Sequence, residues 1–388
     1  MENLVAPIEP QEDENDLIQE DGITSFDAAI AASDWTTETI ISQLRKGNID
    51  LDPSFQRREA WRAPRKSKFI ESLMIGIPTP QVILAERREK RGTYIVIDGK
   101  QRLLTLRQFT AKDDDENFEN FKLNGLKILE DYNDKRFDDL VGLDDDPVSM
   151  FENAAIRTVI IKNWGSEEFL YEVFLRINSG SVQLSPQELR QALHPGGFTR
   201  SLNQYAIESD QIKKTLGLDQ PDFRMRDNEL ALRYIAFARN FATYSGNLKK
   251  FLDDTTVDLN NNWSIKGESV ERNFSALNAA IDAAFDVFEA DAFRKWNGEK
   301  FESRVNRAVF DVVTYYFSNP ALREVALNHQ EPVKLAFIEL CSNDEDFAEA
   351  LTTTTKSKTA VTKRFQAWGA KLNQVLPYDV QVPVLLDA

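Results

Sequence analysis

A buried strand runs directly into a helix at residues 94–109, and this unit limits what the chain can fold into. The run at 94–97 is apolar and rich in β-branched residues, which predicts a strand inside a sheet. Apolar residues with helical spacing follow, so Asp98 and Gly99 occupy a turn between strand and helix. The first N–H groups of such a helix have no partner within it, and Arg102 adds a planar set of donors. The turn is therefore a predicted site for an anionic ligand.

An arginine-bearing segment at residues 52–61 has the same local design. It lies between a short apolar strand and a predicted helix, which Pro64 begins and Gly76 ends. Its polar side chains include Gln56, Arg57 and Arg58. Two such turns could converge on one ligand. In a chain this acidic, the arginines could equally pair with neighbouring carboxylates, so each alone is as compatible with a structural role as with a functional one.

A third polar cluster lies where one predicted helix ends and another begins. Arg176 and Asn178 stand at the end of an otherwise apolar helix, which favours a role in lining a site. Ser185 precedes Pro186 and is followed three residues later by Glu188, which is the pattern of a capping box. A helix is therefore predicted to begin at Pro186.

The order and spacing of these clusters resemble the N-terminal domain of GmrSD-type restriction endonucleases, a bacterial family with a DGQQR signature and a ParB/sulfiredoxin-like fold. The signature appears here as Asp98-Gly99-Lys100-Gln101-Arg102. The resemblance covers residues 35–233 well and includes the segments 55–58, 72–80, 176–178, 188–190 and 224–230. Lys100 stands where the family usually has glutamine, so the family's nucleotide preference is not carried over. Because the chain has only His194 and His329, it resembles a stand-alone member without the C-terminal HNH nuclease.

The resemblance implies binding and hydrolysis of a nucleoside triphosphate, of undetermined base, with Mg²⁺. The setting it implies is a bacterial anti-phage or restriction-type defence system, in which this chain is the sensor or motor subunit and a separately encoded protein is the effector. Such chemistry needs cations on the phosphates and a carboxylate that holds a metal or orients water. The predicted catalytic residues are Asp98, which is also the possible metal ligand, Gln101 and Arg102. The predicted nucleotide-binding residues are Gln56, Arg57, Arg58, Gly99, Lys100, Arg176 and Asn178, with supporting contributions from Glu188, Arg190, Arg226 and Asp227.

Two alternatives remain open at this point. The chain could be a nucleotide-dependent switch or DNA-binding adaptor that does not hydrolyse its ligand, because binding and turnover need nearly the same groups. It could also be a metal-dependent nuclease that uses Asp98 and Lys100 with Glu86 as a second carboxylate. The nuclease hypothesis ranks lower because it leaves Gln101 and Arg102 without a role. A P-loop ATPase is excluded, since Gly99-Lys100 is not part of a Gly-x-x-x-x-Gly-Lys-Ser/Thr motif.

Length and patterning predict an α+β protein of two domains. The 388 residues divide into an acidic mobile arm at 1–33, an α/β domain at 34–163 and a mostly α-helical domain at 164–388. For the α/β domain the resemblance implies a ParB/sulfiredoxin-like fold. No apolar run approaches the twenty residues of a membrane span, so no membrane contact is expected. The single cysteine, Cys341, excludes an internal disulfide and favours a cytoplasmic location.

The charge of the chain limits its possible partners. A net charge of −16 opposes strong nonspecific binding to nucleic acid, because phosphate neutralisation supplies most of that affinity. Two local basic stretches, at residues 57–68 and 87–91, could still contact DNA. The second resembles the tip of a hairpin, where charge simply keeps a turn in water. A homo-oligomer is also compatible with the sequence.

Overall fold

The computed structural model describes residues 28–51, 60–177, 185–352 and 355–386. Contacts between Cα atoms divide the chain into two compact units, with the division between Leu193 and His194. The first, which we call the sheet unit, comprises the described residues up to Leu193. The second, which we call the helical unit, comprises the described residues from His194 onward.

A four-stranded mixed sheet organises the sheet unit. Its strand order is β1-β4-β2-β3, with β2 parallel to β4 and the other two pairs antiparallel. The strands are β1 (Ala29–Thr36), β2 (Val82–Glu86), β3 (Tyr94–Asp98) and β4 (Ala155–Lys162). The helices are α1 (Thr37–Arg45), α2 (Ala63–Met74), α3 (Lys100–Phe109), α4 (Phe137–Leu140), α5 (Pro147–Glu152), α6 (Glu167–Ile177) and α7 (Pro186–Leu193).

Helices cover both faces of this sheet. The side chains of β2 alternate, so that Leu84 packs among α1, α2 and α3 whereas Ile83 packs with α6 and α7. Because both faces are covered, β2 and β3 are apolar along most of their length, as the sequence predicts. Residues 164–193, which the sequence analysis placed in the helical domain, therefore pack on the sheet.

The strand β1 was missed by the sequence analysis. It pairs with β4 along its whole length, from Ala29 opposite Lys162 to Thr36 opposite Ala155. Most of its residues are exposed, so the strand carries no alternation of apolar and polar side chains. Its first residues fall within the segment predicted to be an acidic arm. Residues 1–27 of that segment lie outside the described residues.

The helical unit packs its helices around one large aromatic core. Its helices are α8 (Gly197–Glu208), α9 (Asp210–Leu216), α10 (Arg226–Asn240), α11 (Leu248–Asn261), α12 (Trp263–Phe288), α13 (Arg307–Phe317), α14 (Pro320–Leu327), α15 (Gln330–Asn343), α16 (Glu345–Ala350) and α17 (Lys358–Val375). A hairpin of β5 (Arg294–Trp296) and β6 (Phe301–Val305) interrupts them. The sequence analysis assigned no strand here, because segments this short are below the length at which alternation becomes detectable.

A buried ionic network joins three helices of this unit. Asp311 on α13 accepts hydrogen bonds from Arg233 Nε of α10 at 2.9 Å and from Arg364 Nη2 of α17 at 3.2 Å. All three side chains are nearly inaccessible to water. Because two guanidinium groups share one carboxylate, the network fixes the relative positions of the three helices.

The predicted α+β class is confirmed, with the sheet near the N-terminus and helices filling the C-terminal part. The helices predicted to begin at Pro64 and Pro186 correspond to α2, which begins one residue earlier at Ala63, and to α7. Among the described residues, no helix is both long and apolar enough to cross a membrane.

Candidate functional site

The turn between β3 and α3 has the geometry that the sequence predicts. Asp98 ends β3, Gly99 caps the helix with a φ of +97°, and α3 begins at Lys100. The neighbouring strand shifts register between Ile83 and Leu84, directly beside the pairing of Ile83 with Asp98. Such irregularities redirect side chains at strand ends. The first N–H groups of α3, a helix of ten residues, have no acceptor within the helix.

Only glycine fits at position 99. A Cβ atom there would lie 3.0 Å from Val82 Cγ2 and 3.2 Å from Arg102 Nη2. The positive φ independently disfavours any side chain with a Cβ. The glycine thus lets the Arg102 guanidinium lie directly against the backbone of the turn.

Asp98 and Arg102 form an ion pair one helical turn apart. Arg102 Nη2 donates to Asp98 Oδ2 at 2.7 Å and to the carbonyl oxygen of Gln81 at 2.9 Å. The Arg102 side chain is 12% exposed and that of Asp98 is 32% exposed. Arg102 Nε is buried and has no hydrogen-bond partner among the residues that the structure describes. The turn therefore presents a positioned arginine and a partly exposed carboxylate side by side.

Gln101 is held by the backbone of the chain that enters α2. Its Oε1 accepts a hydrogen bond from the backbone N–H of Trp61 at 3.3 Å. Trp61 itself packs edge-on against Phe69 and carries Arg65 over its indole ring at 4.7 Å. The amide of Gln101 is thus oriented by a fixed neighbour, which is what a water-positioning group requires.

Lys100 is directed away from this ion pair into a buried contact. Its Nζ lies 2.5 Å from Glu188 Oε1, and both side chains are almost fully buried. Glu188 Oε2 also accepts from the backbone N–H of Ser185 at 2.8 Å, while Ser185 Oγ accepts from the N–H of Glu188 at 3.1 Å. The predicted capping box is therefore present, and it supplies the carboxylate that neutralises Lys100.

The remaining predicted residues of α6 and α7 make local contacts. Arg190 is buried and its Nη1 donates to Gln187 Oε1 at 2.6 Å. Arg176 is 77% exposed and its Nε donates to Glu172. The second carboxylate oxygen of Glu172 is buried without a partner among the described residues. Sequence reasoning missed Glu172, although its position four residues before Arg176 on one helix is the usual signal for such a pair.

Arg226 and Asp227 belong to the helical unit and make contacts there. Arg226 donates through Nε and Nη2 to both carboxylate oxygens of Asp222, at 2.9 and 2.8 Å. Asp227 Oδ1 accepts from the backbone N–H of Asn228 at 2.8 Å, near the beginning of α10. Both residues therefore order the loop that leads into α10. The other predicted residues, Gln56, Arg57, Arg58 and Asn178, lie outside the described residues.

Glu86 does not lie beside Asp98, so its predicted role as a second nuclease carboxylate is wrong. In the β2–β3 register Glu86 pairs with Tyr94 whereas Asp98 pairs with Ile83, at the opposite end of the hairpin. Four residues of strand separate the two ends, which is roughly 13 Å. Glu86 Oε1 instead accepts from the N–H of Gly92 and closes the hairpin turn. Among the described residues, no three histidine, cysteine or acidic side chains converge as a metal site.

The second basic stretch, at 87–91, is partly occupied by structural contacts. Arg87 Nη2 donates to the carbonyl oxygen of Ala192 at 3.1 Å, and Arg88 Nε donates to that of Trp164 at 2.9 Å. Arg88 also lies over the Trp164 ring at 4.2 Å. These two arginines bind the hairpin to the segments around α6 and α7. Arg88, Lys90 and Arg91 are the exposed cations among residues 87–91.

The strand, glycine turn and signature helix that surround Asp98 lie within a recognised domain. Residues 37–195 match the family model described as GmrSD restriction endonuclease, N-terminal domain. This part of the chain is therefore similar to the N-terminal domain of GmrSD restriction endonucleases. The match includes Asp98, Lys100, Arg102, Arg176 and Glu188, so the GmrSD domain ends close to the boundary of the sheet unit. No curated protein matches the chain.

Proposed function

We propose that the GmrSD domain binds and hydrolyses a nucleoside triphosphate at the Asp98 turn, as part of a restriction-type defence system whose effector is another chain. The observation that carries the proposal is the Asp98–Arg102 pair beside Gly99 at the beginning of α3. Backbone N–H groups, a glycine that allows close approach and a guanidinium are the usual components of a phosphate site.

Asp98 and Arg102 have different roles in this proposal. The Arg102 guanidinium is suited to phosphate oxygens because it is planar and keeps its charge. Its present acceptor, the Asp98 carboxylate, is partly exposed and can then hold a metal ion or orient water. Mg²⁺ bound with a triphosphate characteristically takes only one or two protein carboxylates, and it would neutralise charge on the phosphates. A single acidic residue at the turn fits that requirement.

The contacts support a narrower role for Lys100 than the sequence analysis gave it. Its ammonium is already neutralised by Glu188 inside the domain. We therefore assign Lys100 to holding the first turn of α3 against α7, and we assign phosphate binding to Arg102 and the helix N–H groups. Gln101, fixed by Trp61, is the group assigned to position water.

Phosphate release by the purified chain tests the proposal. Each of the four ribonucleoside triphosphates is supplied with Mg²⁺, with and without double-stranded DNA. We expect release with at least one nucleotide, and a loss of roughly 10²–10³-fold in kcat for Arg102→Ala or Asp98→Asn. Arg136→Ala is the matched control, because Arg136 also pairs with an aspartate, Asp113, but both side chains are exposed and Asp113 follows the opposite end of α3.

Three outcomes separate the hypotheses. Release that survives Arg102→Ala would refute the assigned site. Nucleotide binding in calorimetry without release under any condition would refute hydrolysis and favour the nucleotide-dependent switch. If neither binding nor release occurs, the Asp98 turn is a structural feature and the proposal fails.

A further inference from the structure

The helical unit contains a cavity of about 300 Å³ that the Asp98 site does not involve. It lies among α10, α12, α13, α14 and the segment that follows α17. Four tyrosines line it, together with amide and hydroxyl side chains. The residues used below are Tyr234, Asn273, Tyr315, Tyr316, Tyr378 and Gln381. A cavity of this size, with four tyrosines among polar and small apolar side chains, is large enough to hold a small ligand.

The wall of the cavity is fixed by hydrogen bonds outside it. The hydroxyl of Tyr316 donates to the carbonyl oxygen of Phe365 at 2.6 Å. The segment after α17 is bound to that helix twice, since Val380 N–H donates to Asn373 Oδ1 at 2.7 Å and Asn373 Nδ2 donates to Val380 O at 3.0 Å. Because the protein's own hydrogen bonds hold the wall in place, binding would require little ordering of it.

Polar groups within the cavity are available to a ligand. The hydroxyl of Tyr315 makes no hydrogen bond to any residue that the structure describes, and burial raises the pKa of this phenol, so it remains a protonated donor. The Tyr234 hydroxyl is oriented by the side chains of Ser318 and Asn273. Gln381 is exposed at the rim and donates to Asp379 at 3.0 Å.

The charges around the cavity favour a neutral ligand. Its lining residues carry no formal charge. Arg239 lies behind Asn273 and donates to it at 2.9 Å, and Arg323 donates to the carbonyl oxygen of Phe317 at 2.9 Å. Two nearby guanidinium groups oppose a cationic ligand of the kind that aromatic cages bind. Both are already engaged with protein acceptors, so they do not form an anion site either.

We propose that this cavity binds a neutral nucleobase, presented either as a free nucleoside or as an unpaired base of a polynucleotide. Tyr234 and Tyr316 are buried, so the half-buried rings of Tyr315 and Tyr378 are the ones on which a base would stack, as bases do on aromatic side chains in single-strand binding. The Tyr315 hydroxyl and the exposed amide of Gln381 provide donors and acceptors for its polar edge. This site is separate from the proposed triphosphate site, and its ligand needs no phosphate.

Calorimetric titration with nucleosides tests the proposal. Adenosine, guanosine, cytidine and thymidine are each added to the full chain. Two other compounds are controls: glucose is a polar ring without a flat aromatic face, and choline is a cation. We expect at least one nucleoside to bind, and Tyr378→Ala to weaken that binding about tenfold or more. Tyr315→Phe and Gln381→Ala should each weaken it several-fold. Gln366→Ala, an exposed glutamine on α17 outside the lining, should bind as wild type does.

The site of binding and the source of the base are then determined separately. Arg102→Ala should bind the nucleoside unchanged, so loss of binding in that variant would place the ligand at the Asp98 turn and overturn the proposal. Absence of binding by every nucleoside, equal binding by the Tyr378→Ala variant, or preferential binding of glucose or choline would also overturn it. A short single-stranded oligonucleotide that competes for the nucleoside would identify a polynucleotide base as the source, and failure to compete would identify a free nucleoside.

Discussion

The ammonium of Lys100 lies 2.5 Å from the carboxylate of Glu188, and each side chain is less than 10% exposed. The pair links the first residue of α3 to α7, so it joins helices on the two faces of the sheet. A buried charge that loses its partner is strongly destabilising, because its desolvation is no longer compensated. The charge of Lys100 is therefore balanced by a second residue far along the sequence.

We expect Lys100→Gln or Glu188→Gln alone to lower the free energy of unfolding by about 3 kcal/mol. The double variant should recover much of that loss, because two neutral amides can share the space without an unpaired charge. Urea unfolding of all four proteins measures the coupling. Additive single effects would show that the two groups do not interact.

Gly99 and Gly76 provide a matched comparison of backbone strain and steric contact. Both have a positive φ, but a Cβ at Gly76 meets nothing within 4 Å whereas one at Gly99 meets Val82. Gly76→Ala should therefore cost about 1 kcal/mol from conformation alone. Gly99→Ala should cost more and also reduce hydrolysis, because the turn or Arg102 must move. Val82→Ala should relieve part of the effect of Gly99→Ala, and an equal cost at both glycines would contradict this explanation.

The Asp311 network predicts a large effect on the stability of the helical unit. Asp311→Asn leaves the guanidinium groups of Arg233 and Arg364 buried beside each other without their shared carboxylate. We expect a loss of about 3–5 kcal/mol in the stability of the helical unit. The control is Asp254→Asn, which removes an exposed partner of Lys250 and should change stability by less than about 1 kcal/mol. Thermal unfolding followed by circular dichroism distinguishes the two.

The local structure around Asp98 could be predicted because its signals are local. The β-branched run, the glycine and the capping box each specify backbone over a few neighbouring residues. The structure has the expected strand, turn and helix beginnings in these places. The site roles of these residues stay predictions.

Other features depend on contacts between distant residues, which local sequence patterns do not reveal. The position of Glu86 relative to Asp98 follows from an antiparallel register, which separates two residues close in sequence. The pairing of Lys100 with Glu188 spans 88 residues and requires α7 to pack on the sheet. The strand β1 is specified by the edge of β4 and not by its own pattern. In each case tertiary contact, not local propensity, determines the outcome.

Alkaline pH should destabilise the folded chain through deprotonation of Tyr132, and the variant Tyr132→Phe should lack this effect. Burial, together with the hydrogen bond that its hydroxyl donates to Asp145, raises the pKa of Tyr132 to about 12. The folded state thus keeps the proton that the unfolded chain releases near pH 10. The stabilisation that this retained proton gives to the folded state is fully present below about pH 10 and is lost as the pH rises toward 12.

We therefore expect the wild-type chain to lose more unfolding free energy than Tyr132→Phe between about pH 8 and about pH 11. Phenylalanine keeps the ring in place but has no proton to release, so the difference between the two proteins isolates this tyrosine from the others. Urea unfolding at the two pH values, with tryptophan fluorescence as the signal, measures it. Identical slopes of stability against pH in both proteins would show that the Tyr132 hydroxyl is not held by Asp145 in solution.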